Sequence, residues 1–236
     1  MTDETLPTYR LDDSVAVITL DDGKANVFSR ASLTHLEALV DQAEADGARA
    51  LVLVGRPGRF SAGFNLDEMT ATVEGMRALV VQGARFWLRI YGLGMPTVAA
   101  CTGHALAGGA ITLLSCDRRV GADVPAKIGL NEVAIGLTLP KFAVELARDR
   151  LTKASFTAAT MGAQIFDAAG AQQAGFLDVV VPEADLVSTA MDEARRLGQI
   201  RTGAYAATKL NARAELIERV LADVVADLDS IDAPSV

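Results

Sequence analysis

The order of apolar and polar positions along the chain predicts strands that alternate with helices. Residues 14–20, SVAVITL, are rich in β-branched side chains and end at the turn residues Asp21, Asp22 and Gly23. A second apolar run, ARALVLVG at residues 48–55, predicts a buried strand, and a short third run covers residues 97–101. Because helical patterns separate these runs, we expect an α/β core with parallel strands.

Helical spacing fills the intervals between the predicted strands. Ser29 is suited to cap a first helix, whose apolar positions recur at helical spacing before Gly47 ends it: Leu33, Leu36, Val40 and Ala43. A second helix is expected around residues 75–91, and a third begins at the glycine pair Gly108 and Gly109.

The pattern changes after Pro182, where the sequence becomes almost entirely helical in character. We therefore predict a core at residues 1–182 and a C-terminal helical region at residues 183–236. Steps of three and four form an apolar stripe in that region: Leu210, Ala214, Ile217, Leu221, Val224 and Leu228. Such a helix needs a surface to cover, either its own core or a neighbouring subunit.

Composition and charge narrow the class of protein. The chain has 236 residues, enough for one principal domain with a helical appendage. Half of the residues are hydrophobic and only 5% are aromatic, which indicates a core of Ala, Val, Leu and Ile. A net charge of −8 argues against nucleic acid as a partner. An anionic ligand would need local cations or helix N-termini that reverse this field.

The cysteines and the N-terminal segment bear on location. Cys101 and Cys116 lie in apolar surroundings without metal-site spacing, so we expect free thiols and no metal. The first residues are acidic rather than basic and apolar, and no apolar run approaches the ~18 residues of a membrane span. A soluble, cytoplasmic protein without a membrane partner is predicted.

Two stretches join a predicted strand to a predicted helix through small residues. They are RPGRFSAGFNLDEM at 56–69 and GHALAGGAITLLSCD at 103–117. Backbone N–H groups at a helix start lack intrahelical partners, so two such starts that face one point could form an oxyanion hole. The alternative is that Gly63, Gly108 and Gly109 only allow tight turns or close packing.

The two stretches occur in order with a third motif, NEVAIGLTLP at 131–140. Together they closely resemble the motifs of the crotonase (enoyl-CoA hydratase/isomerase) superfamily, and the resemblance covers nearly the whole chain. It implies an α/β fold built as a spiral of ββα units, with a C-terminal helical region that assembles trimers and often hexamers. It also implies an acyl-CoA thioester as substrate, with no separate cofactor because coenzyme A is part of the substrate.

The resemblance assigns the oxyanion donors by position. They would be the backbone N–H of Phe64, directly after Gly63, and the backbone N–H of Gly108. Their task would be to hold the thioester oxygen as it becomes an enolate, and one such donor is worth about 10²–10³ in rate. The Phe64 side chain could in addition shape the acyl pocket.

Two segments would contact coenzyme A by the same resemblance. They are the loop formed by Lys24, Ala25 and Asn26, and the segment from Ala62 to Leu66. These are the places where the family binds the adenine and the pantetheine arm.

The cations for the phosphates are less clear in the sequence. Lys24 is the best local candidate, followed by Arg56 and Arg59, although each could equally be a solvated surface charge. Several hydratases of the family have lysine where this chain has Asp67, so part of the usual phosphate contact is in doubt.

One of the two acids of the family's hydratases is absent. The resemblance puts the first catalytic glutamate at Ile111, which cannot move a proton, and the second at Glu132, which is present. Hydration calls for a group that activates water and ideally another that supplies a proton. Moving a double bond from the 3- to the 2-position needs one base only. The sequence therefore favours isomerisation of 3-enoyl-CoA with Glu132 as sole acid/base.

Other readings of the same residues stay open. They are a slow hydratase that works on Glu132 alone or with a group not located, a catalytically poor acyl-CoA binding protein, and, more distantly, a thioester hydrolase. An apolar setting that includes Ile111 is expected to raise the pKa of Glu132 and make it a better base near neutrality.

Four further residues are weaker candidates for chemistry. A packing or loop role is favoured for His104, and a surface position for His35. Cys116 would be reactive only if it were exposed in an electropositive setting. Glu68 lies near the first oxyanion stretch and could supply a second carboxylate.

Overall fold

The computed structural model describes residues 5–229, and these residues form a mixed α/β fold. The strands, in chain order, are β1 (Thr8–Asp12), β2 (Val15–Leu20), β3 (Val27–Phe28), β4 (Ala50–Gly55), β5 (Gly58–Ser61), β6 (Gly63–Phe64), β7 (Thr97–Cys101), β8 (Gly103–Leu106), β9 (Arg118–Ala122), β10 (Ile128–Gly129) and β11 (Val179–Val181).

The helices lie between and after these strands. They are α1 (Arg30–Ala45), α2 (Leu66–Ala71), α3 (Val73–Gly92), α4 (Gly108–Ser115), α5 (Lys141–Arg150), α6 (Lys153–Ala159), α7 (Ala168–Ala174), α8 (Leu186–Gly198) and α9 (Thr202–Asp229). Short 3₁₀ turns cover Val133–Ile135 and Glu183–Asp185. The cap expected at Ser29 is present, because its side chain accepts from the Ser32 N–H while the Ser32 hydroxyl accepts from the Ser29 N–H.

A six-stranded sheet forms the centre, in the order β1-β2-β4-β7-β9-β11. Its strands pair in parallel except for the antiparallel hairpin of β1 and β2. Two smaller sheets lie beside it, β10-β8-β5 and β3-β6, and both are parallel. The three predicted strands and the parallel pairing are confirmed. The hairpin strand β1 and the two- to four-residue strands of the small sheets were not predicted, because such short segments carry little periodicity.

Alternate residues of the central strands face two different hydrophobic cores. Ala16 and Ile18 of β2 belong to the larger cluster, which the helices on one face cover. Val15 and Val17 belong to the second cluster, together with Met191 of α8. Because α8 covers this second face of the sheet, the first helix after Pro182 is part of the core packing. The boundary predicted at Pro182 stays a prediction, and residues 230–236 of that region lie outside the described residues.

Helix α9 contacts α3 and α5 of its own chain, but not through the whole predicted stripe. Val224 is buried, whereas Leu210 is 58% exposed and Leu221 is 38% exposed; the Leu228 side chain lies outside the described part. The inward face instead carries Lys209 and Arg213, which form ion pairs with Asp117. Ile217 and Val224 of the predicted stripe pack against the chain's own core, beside this buried ion cluster, and the exposed leucines leave the alternative of a neighbouring subunit open.

Within the described residues, no helix combines the length and the apolar character that crossing a membrane requires.

Candidate active site

The two glycine-containing joints of the sequence lie against each other in the structure. Gly63 has a φ of +94°, and a Cβ built on it would lie 3.0 Å from the Gly108 nitrogen and 2.8 Å from the Ala107 Cβ. Gly63 begins β6 and Gly108 begins α4. The backbone next to Phe64 and the first turn of α4 therefore meet at one point, as an oxyanion hole requires.

Both close packing and an oxyanion hole require residues without a Cβ at these glycine positions. A Cβ on Gly109 would overlap the Ser61 carbonyl group, and a Cβ on Gly108 would lie 2.8 Å from the Trp87 ring. The tight-packing interpretation is thus correct for these positions. It does not exclude the oxyanion interpretation, since close backbone approach is also what presents an N–H to a ligand.

The start of α4 has an unusual backbone. Ala107 has a φ of +49° and caps the helix without a side-chain hydrogen bond. Its N–H donates to the Gly129 carbonyl at 3.0 Å, which ties the helix start to β10. Gly108 is the first helical residue, so its N–H has no intrahelical acceptor, and the positive end of the helix dipole lies there.

The Phe64 ring packs into the core. Its centroid lies 5.2 Å from that of Trp87, and a Cβ on Gly83 would lie 2.6 Å from the ring. Phe64 also pairs with Phe28 across β6 and β3. These contacts hold the backbone of Phe64 in place, and the role of the ring in an acyl pocket stays a prediction.

Glu132 lies just after β10, at the start of the 3₁₀ turn Val133–Ile135. Its carbonyl accepts from the N–H groups of Ile135 and Leu137 at 3.1 and 2.9 Å, which fixes its backbone. The residue is 9% exposed, and its buried Oε2 has no hydrogen-bond partner among the described residues. Burial raises the pKa of Glu132 to about 7, against a smaller opposing effect of its own backbone N–H. The burial of Glu132 and the direction of this shift agree with the expectation from the sequence, and the part of Ile111 in that setting stays a prediction.

The first turn of α4 carries no second acid. Ile111 is 2% exposed and belongs to the larger hydrophobic cluster. Among the buried polar and charged residues of the described chain, Glu132 is the one carboxylate. A buried proton-transfer group is thus present, without a buried partner acid.

The two segments expected to bind coenzyme A adjoin each other, since the Ala62 N–H donates to the Ala25 carbonyl at 3.0 Å. The Asn26 side chain is occupied by the fold: its amide donates to the carbonyls of Leu20, Arg59 and Phe60 at 2.7, 3.1 and 3.2 Å. Only its backbone and its neighbours Lys24 and Ala25 can therefore face a ligand.

Residues of these two segments differ in exposure and in how free their side chains are to contact a ligand. Leu66 is 67% exposed, and Ala62 and Lys24 are exposed as well. Arg56 is held by the Lys24 carbonyl at 2.7 Å and by Asp21 at 3.4 Å, so it is less available for a phosphate than the sequence suggested.

A cleft of about 270 Å³ opens between the two segments. Ala25, Ser61, Ala62 and Leu106 form part of its wall, and Arg59, His104 and Lys127 complete it. Sequence reasoning missed Lys127, and the only available signal was its place directly before the short strand β10.

The weaker candidates have structural partners. His104 accepts from the Lys127 N–H through Nδ1 at 2.9 Å, in agreement with a loop role. His35 is partly exposed, in agreement with a surface position, and its Nε2 lies 2.9 Å from the Pro7 carbonyl. Glu68 accepts from the Arg30 N–H.

Neither the cysteines nor the metal-type side chains of residues 5–229 form a further reactive site. Cys101 and Cys116 are free and buried, and burial raises the pKa of both thiols to about 12, which leaves them inert. Within residues 5–229, no group of three or more His, Cys, Asp or Glu side chains is arranged to hold a metal ion.

Comparison with known proteins gives one consistent family. Residues 10–230 match the protein family described as enoyl-CoA hydratase/isomerase. A crystal structure of an enoyl-CoA hydratase/isomerase family protein from Pseudomonas syringae superposes with a TM-score of 0.93 and 41% identity, over 96% of this chain and 98% of that one.

Some curated relatives are named as enoyl-CoA isomerases and others as enoyl-CoA hydratases. Human mitochondrial enoyl-CoA delta isomerase 1 is 31% identical over 220 residues, which is 92% of this chain and 73% of the relative. A putative enoyl-CoA hydratase from Thermus thermophilus is 34% identical over 211 residues, 86% of this chain and 80% of the relative.

Proposed function

The chain belongs to the enoyl-CoA hydratase/isomerase family, and from that premise we propose that it converts 3-enoyl-CoA to 2-enoyl-CoA with Glu132 as its sole acid/base. One combination carries this proposal: Glu132 is a buried carboxylate, and the first turn of α4 has the apolar residue Ile111 instead of a second acid. One base suffices for a proton shuttle, whereas hydration calls for a second group.

The proposed reaction uses the two backbone donors and the carboxylate in turn. The N–H groups of Phe64 and Gly108 would bind the thioester oxygen. Glu132 would remove a proton from C2, and the charge would spread into a dienolate whose oxygen those N–H groups stabilise. Glu132 would then return the proton to C4, which leaves the double bond at the 2-position and the carboxylate unchanged.

A pKa near neutrality suits this role. The base must be ionised to take the proton and sufficiently basic to hold it until C4 accepts it, and Brønsted behaviour favours a pKa close to the working pH. The pKa of about 7 for Glu132, caused by burial, meets that condition.

Hydration of 2-enoyl-CoA is the second candidate. Asn131 Oδ1 and Glu132 Oε2 are buried oxygens on consecutive residues, without a hydrogen-bond partner among the described residues. Each can accept a hydrogen bond from water, and a water held there could act as a nucleophile. A protein that binds acyl-CoA with little turnover is the third outcome that an assay must separate.

The test is a product-resolved assay of the purified protein with 3-enoyl-CoA and, separately, with 2-enoyl-CoA. Isomerisation leaves the mass of the substrate unchanged, whereas hydration adds one water, so mass spectrometry with chromatography separates them. We expect 2-enoyl-CoA from wild type and none from Glu132→Gln. Hydrated product as the main product would reject the isomerase, and CoA-ester binding without turnover would indicate the binding protein.

Two further variants make this assay specific. Glu183→Gln changes an exposed carboxylate on a 3₁₀ turn and serves as the matched control with wild-type turnover. Glu68→Gln tests the second carboxylate near the oxyanion joint, and its turnover should also be unchanged. A loss with Glu68→Gln would supply the second acid that a hydratase calls for.

The assembly and setting of the enzyme are part of the proposal. We propose a spiral of ββα units whose C-terminal helices build a homotrimer or a hexamer. The outer face of α9 supports this, since Leu210 and Val225 are 58% and 56% exposed. Light scattering at micromolar concentration should report at least a trimer, and a monomer would contradict it. A cytoplasmic location and a reaction without a separate cofactor stay predictions.

A further inference from the structure

The single tryptophan of the chain lies between the two residues proposed as oxyanion donors. Trp87 is on α3 and is fully buried. Its ring centroid lies 5.2 Å from that of Phe64, and a Cβ built on Gly108 would lie 2.8 Å from its six-membered ring. Because the indole packs directly against Phe64 and against the Cα of Gly108, it connects the two joints through one rigid group.

The indole nitrogen extends this contact through a chain of two hydrogen bonds. Trp87 Nε1–H donates to Thr112 Oγ1 at 2.8 Å, and the Thr112 hydroxyl donates to the Gly108 carbonyl at 2.8 Å. An indole N–H can only donate, so the hydroxyl must accept from it and direct its own proton to Gly108. The direction of the chain is therefore fixed, and both side chains are buried away from competing water.

Gly108 depends on such contacts because it is a glycine. The ring of Trp87 leaves no space for a Cβ there, and glycine has more backbone freedom than any other residue. Both peptide groups that flank its Cα are hydrogen-bonded: the Ile111 N–H donates to the Ala107 carbonyl at 2.9 Å, and the Thr112 hydroxyl donates to the Gly108 carbonyl. With the indole against the Cα, these bonds hold the direction of the Gly108 N–H. An oxyanion donor is effective when it is preorganised toward the developing charge.

We propose that Trp87 and Thr112 are positioning residues, which set the direction of the Gly108 N–H and its separation from the Phe64 N–H. This rests on the proposed function, because it takes both N–H groups to hold the thioester oxygen. Both side chains are buried and act through the backbone of α4. They should therefore affect the step in which charge develops on the oxygen more than the binding of the CoA ester.

Helix α4 itself supplies a matched control for the test. Thr112→Val keeps the shape of the side chain and removes the hydroxyl, whereas Thr112→Ser retains the hydroxyl. Ser115 is buried at the other end of the helix, and its hydroxyl donates to the Ile111 carbonyl at 2.9 Å in the same i−4 pattern. Ser115→Ala therefore removes the same kind of bond away from the donors. Trp87→Phe, a second variant, removes the indole N–H and part of the ring contact.

The first readout is the steady-state kinetics of the folded variants with 3-enoyl-CoA. We expect kcat and kcat/KM to fall together by about tenfold in Thr112→Val and by more in Trp87→Phe, with KM unchanged. Thr112→Ser and Ser115→Ala should match wild type. Wild-type kcat in both Thr112→Val and Trp87→Phe would overturn the proposal. An equal loss in Ser115→Ala, or a rise in KM at unchanged kcat, would overturn it as well.

The second readout does not need turnover. It is the infrared frequency of the thioester C=O in a bound saturated acyl-CoA labelled with carbon-13 at that carbon. Oxyanion donors polarise this bond and lower its frequency, and the lowering should be smaller in Thr112→Val and Trp87→Phe than in wild type or Ser115→Ala. A merely structural role would reduce stability and leave the frequency unchanged. Circular dichroism reports the fold, and Thr112→Val, the smaller change, decides the test if Trp87→Phe does not fold.

Failure of the proposed function gives a different result from failure of this positioning role. If wild type lowers the C=O frequency and turns over 3-enoyl-CoA while Thr112→Val and Trp87→Phe match it, only the positioning role is wrong. If wild type binds the acyl-CoA without lowering the frequency, the oxyanion donors are wrong, and the positioning role falls with them. If wild type lowers the frequency without turnover, the isomerase is wrong, and the infrared comparison still decides the role of Trp87 and Thr112.

Discussion

The carboxylates of Asp117 and Glu132 are both largely shielded from water, and they differ in their partners. Asp117, just after α4, accepts from the Thr97 N–H at 2.8 Å, from Lys209 at 2.8 Å and from Arg213 at 2.7 Å. Glu132, on the 3₁₀ turn after β10, has an Oε2 without a partner among the described residues. The carboxylate of Asp117 is paired with positive charges, whereas Oε2 of Glu132 is unpaired among the described residues.

The pKa values of the two groups go in opposite directions for this reason. Burial alone would raise the pKa of Asp117, but the charges of Lys209 and Arg213 and the hydrogen bonds outweigh it and hold that pKa below its usual value. Burial of Glu132 meets no such opposition, so its pKa rises to about 7. Partners rather than burial therefore separate the pKa of Asp117 from that of Glu132, the carboxylate proposed as the base.

The largest expected effect is on turnover. Glu132→Gln keeps the shape of the side chain and removes the base, so kcat/KM for 3-enoyl-CoA should fall by at least about 10³. The free energy of unfolding should not decrease, because Oε2 of Glu132 has no partner among the described residues to lose. Steady-state kinetics and denaturant unfolding on the same sample measure both quantities. Wild-type turnover in Glu132→Gln would mean that Glu132, like Asp117, is not the base.

The second effect is on stability. Asp117→Asn leaves Lys209 and Arg213 without their buried counter-charge, and it should lower the free energy of unfolding by about 3–5 kcal/mol. Turnover per folded molecule should stay near that of wild type. Denaturant unfolding measures the loss, and Asp192→Asn is the control, because its exposed ion pair with Arg195 is worth about 0–1 kcal/mol. Equal stability of the two variants would contradict the account of Asp117.

The third effect is a pH dependence with a defined sign. The folded-state pKa of Glu132 is raised, so its favourable contribution is full at low pH and is lost as the pH rises through about 7. From pH 5 to pH 8, Glu132→Gln should therefore gain about 2–3 kcal/mol in unfolding free energy relative to wild type. Denaturant unfolding of both proteins at the two pH values tests this. A difference that is independent of pH would mean that Glu132 titrates normally.

Ionisation of Glu132 should increase turnover, whereas the same ionisation lowers the free energy of unfolding. The base is active when ionised, so kcat/KM should rise with pH up to about 7 and then level off. A plateau that begins near the ordinary pKa of a glutamate would contradict the burial of Glu132.

The smallest effect concerns the start of α4, the helix that ends just before Asp117. Ala107 opens it with a φ of +49°, a conformation that costs a non-glycine residue about 1–3 kcal/mol. Ala107→Gly should relieve this strain at some entropic cost and stabilise the protein by about 1 kcal/mol. Thermal unfolding measures the change, and Ala78→Gly on α3 is the control, which should destabilise by a similar amount. A loss of stability with Ala107→Gly would mean that the backbone there is not strained.

Patterns within one element were predictable from the sequence. The Ser29 cap, the buried strand at residues 50–55 and the helix near residues 75–91 follow from local chemistry and periodicity. The pairing of Gly63 with Gly108 could be expected only through the order of motifs, since the contact joins residues that are distant in sequence.

Features that depend on tertiary contacts were not predictable in the same way. The backbone of Lys127 contacts His104 through short strands with no detectable period, and Asp117 contacts Lys209, which lies 92 residues away in the sequence. Charged residues on an amphipathic helix are usually expected to face solvent, so the inward-facing ion pairs that Lys209 and Arg213 of α9 form with Asp117 could not be predicted from the helical pattern.

The most direct measurement is the titration of the Glu132 carboxyl carbon by NMR on protein with carbon-13-labelled glutamate. The resonance that disappears in Glu132→Gln identifies the residue. A midpoint near pH 7 is predicted, because the carboxylate is buried without a counter-charge. A midpoint at the ordinary value for glutamate would contradict the claim that this unpaired carboxylate is the base.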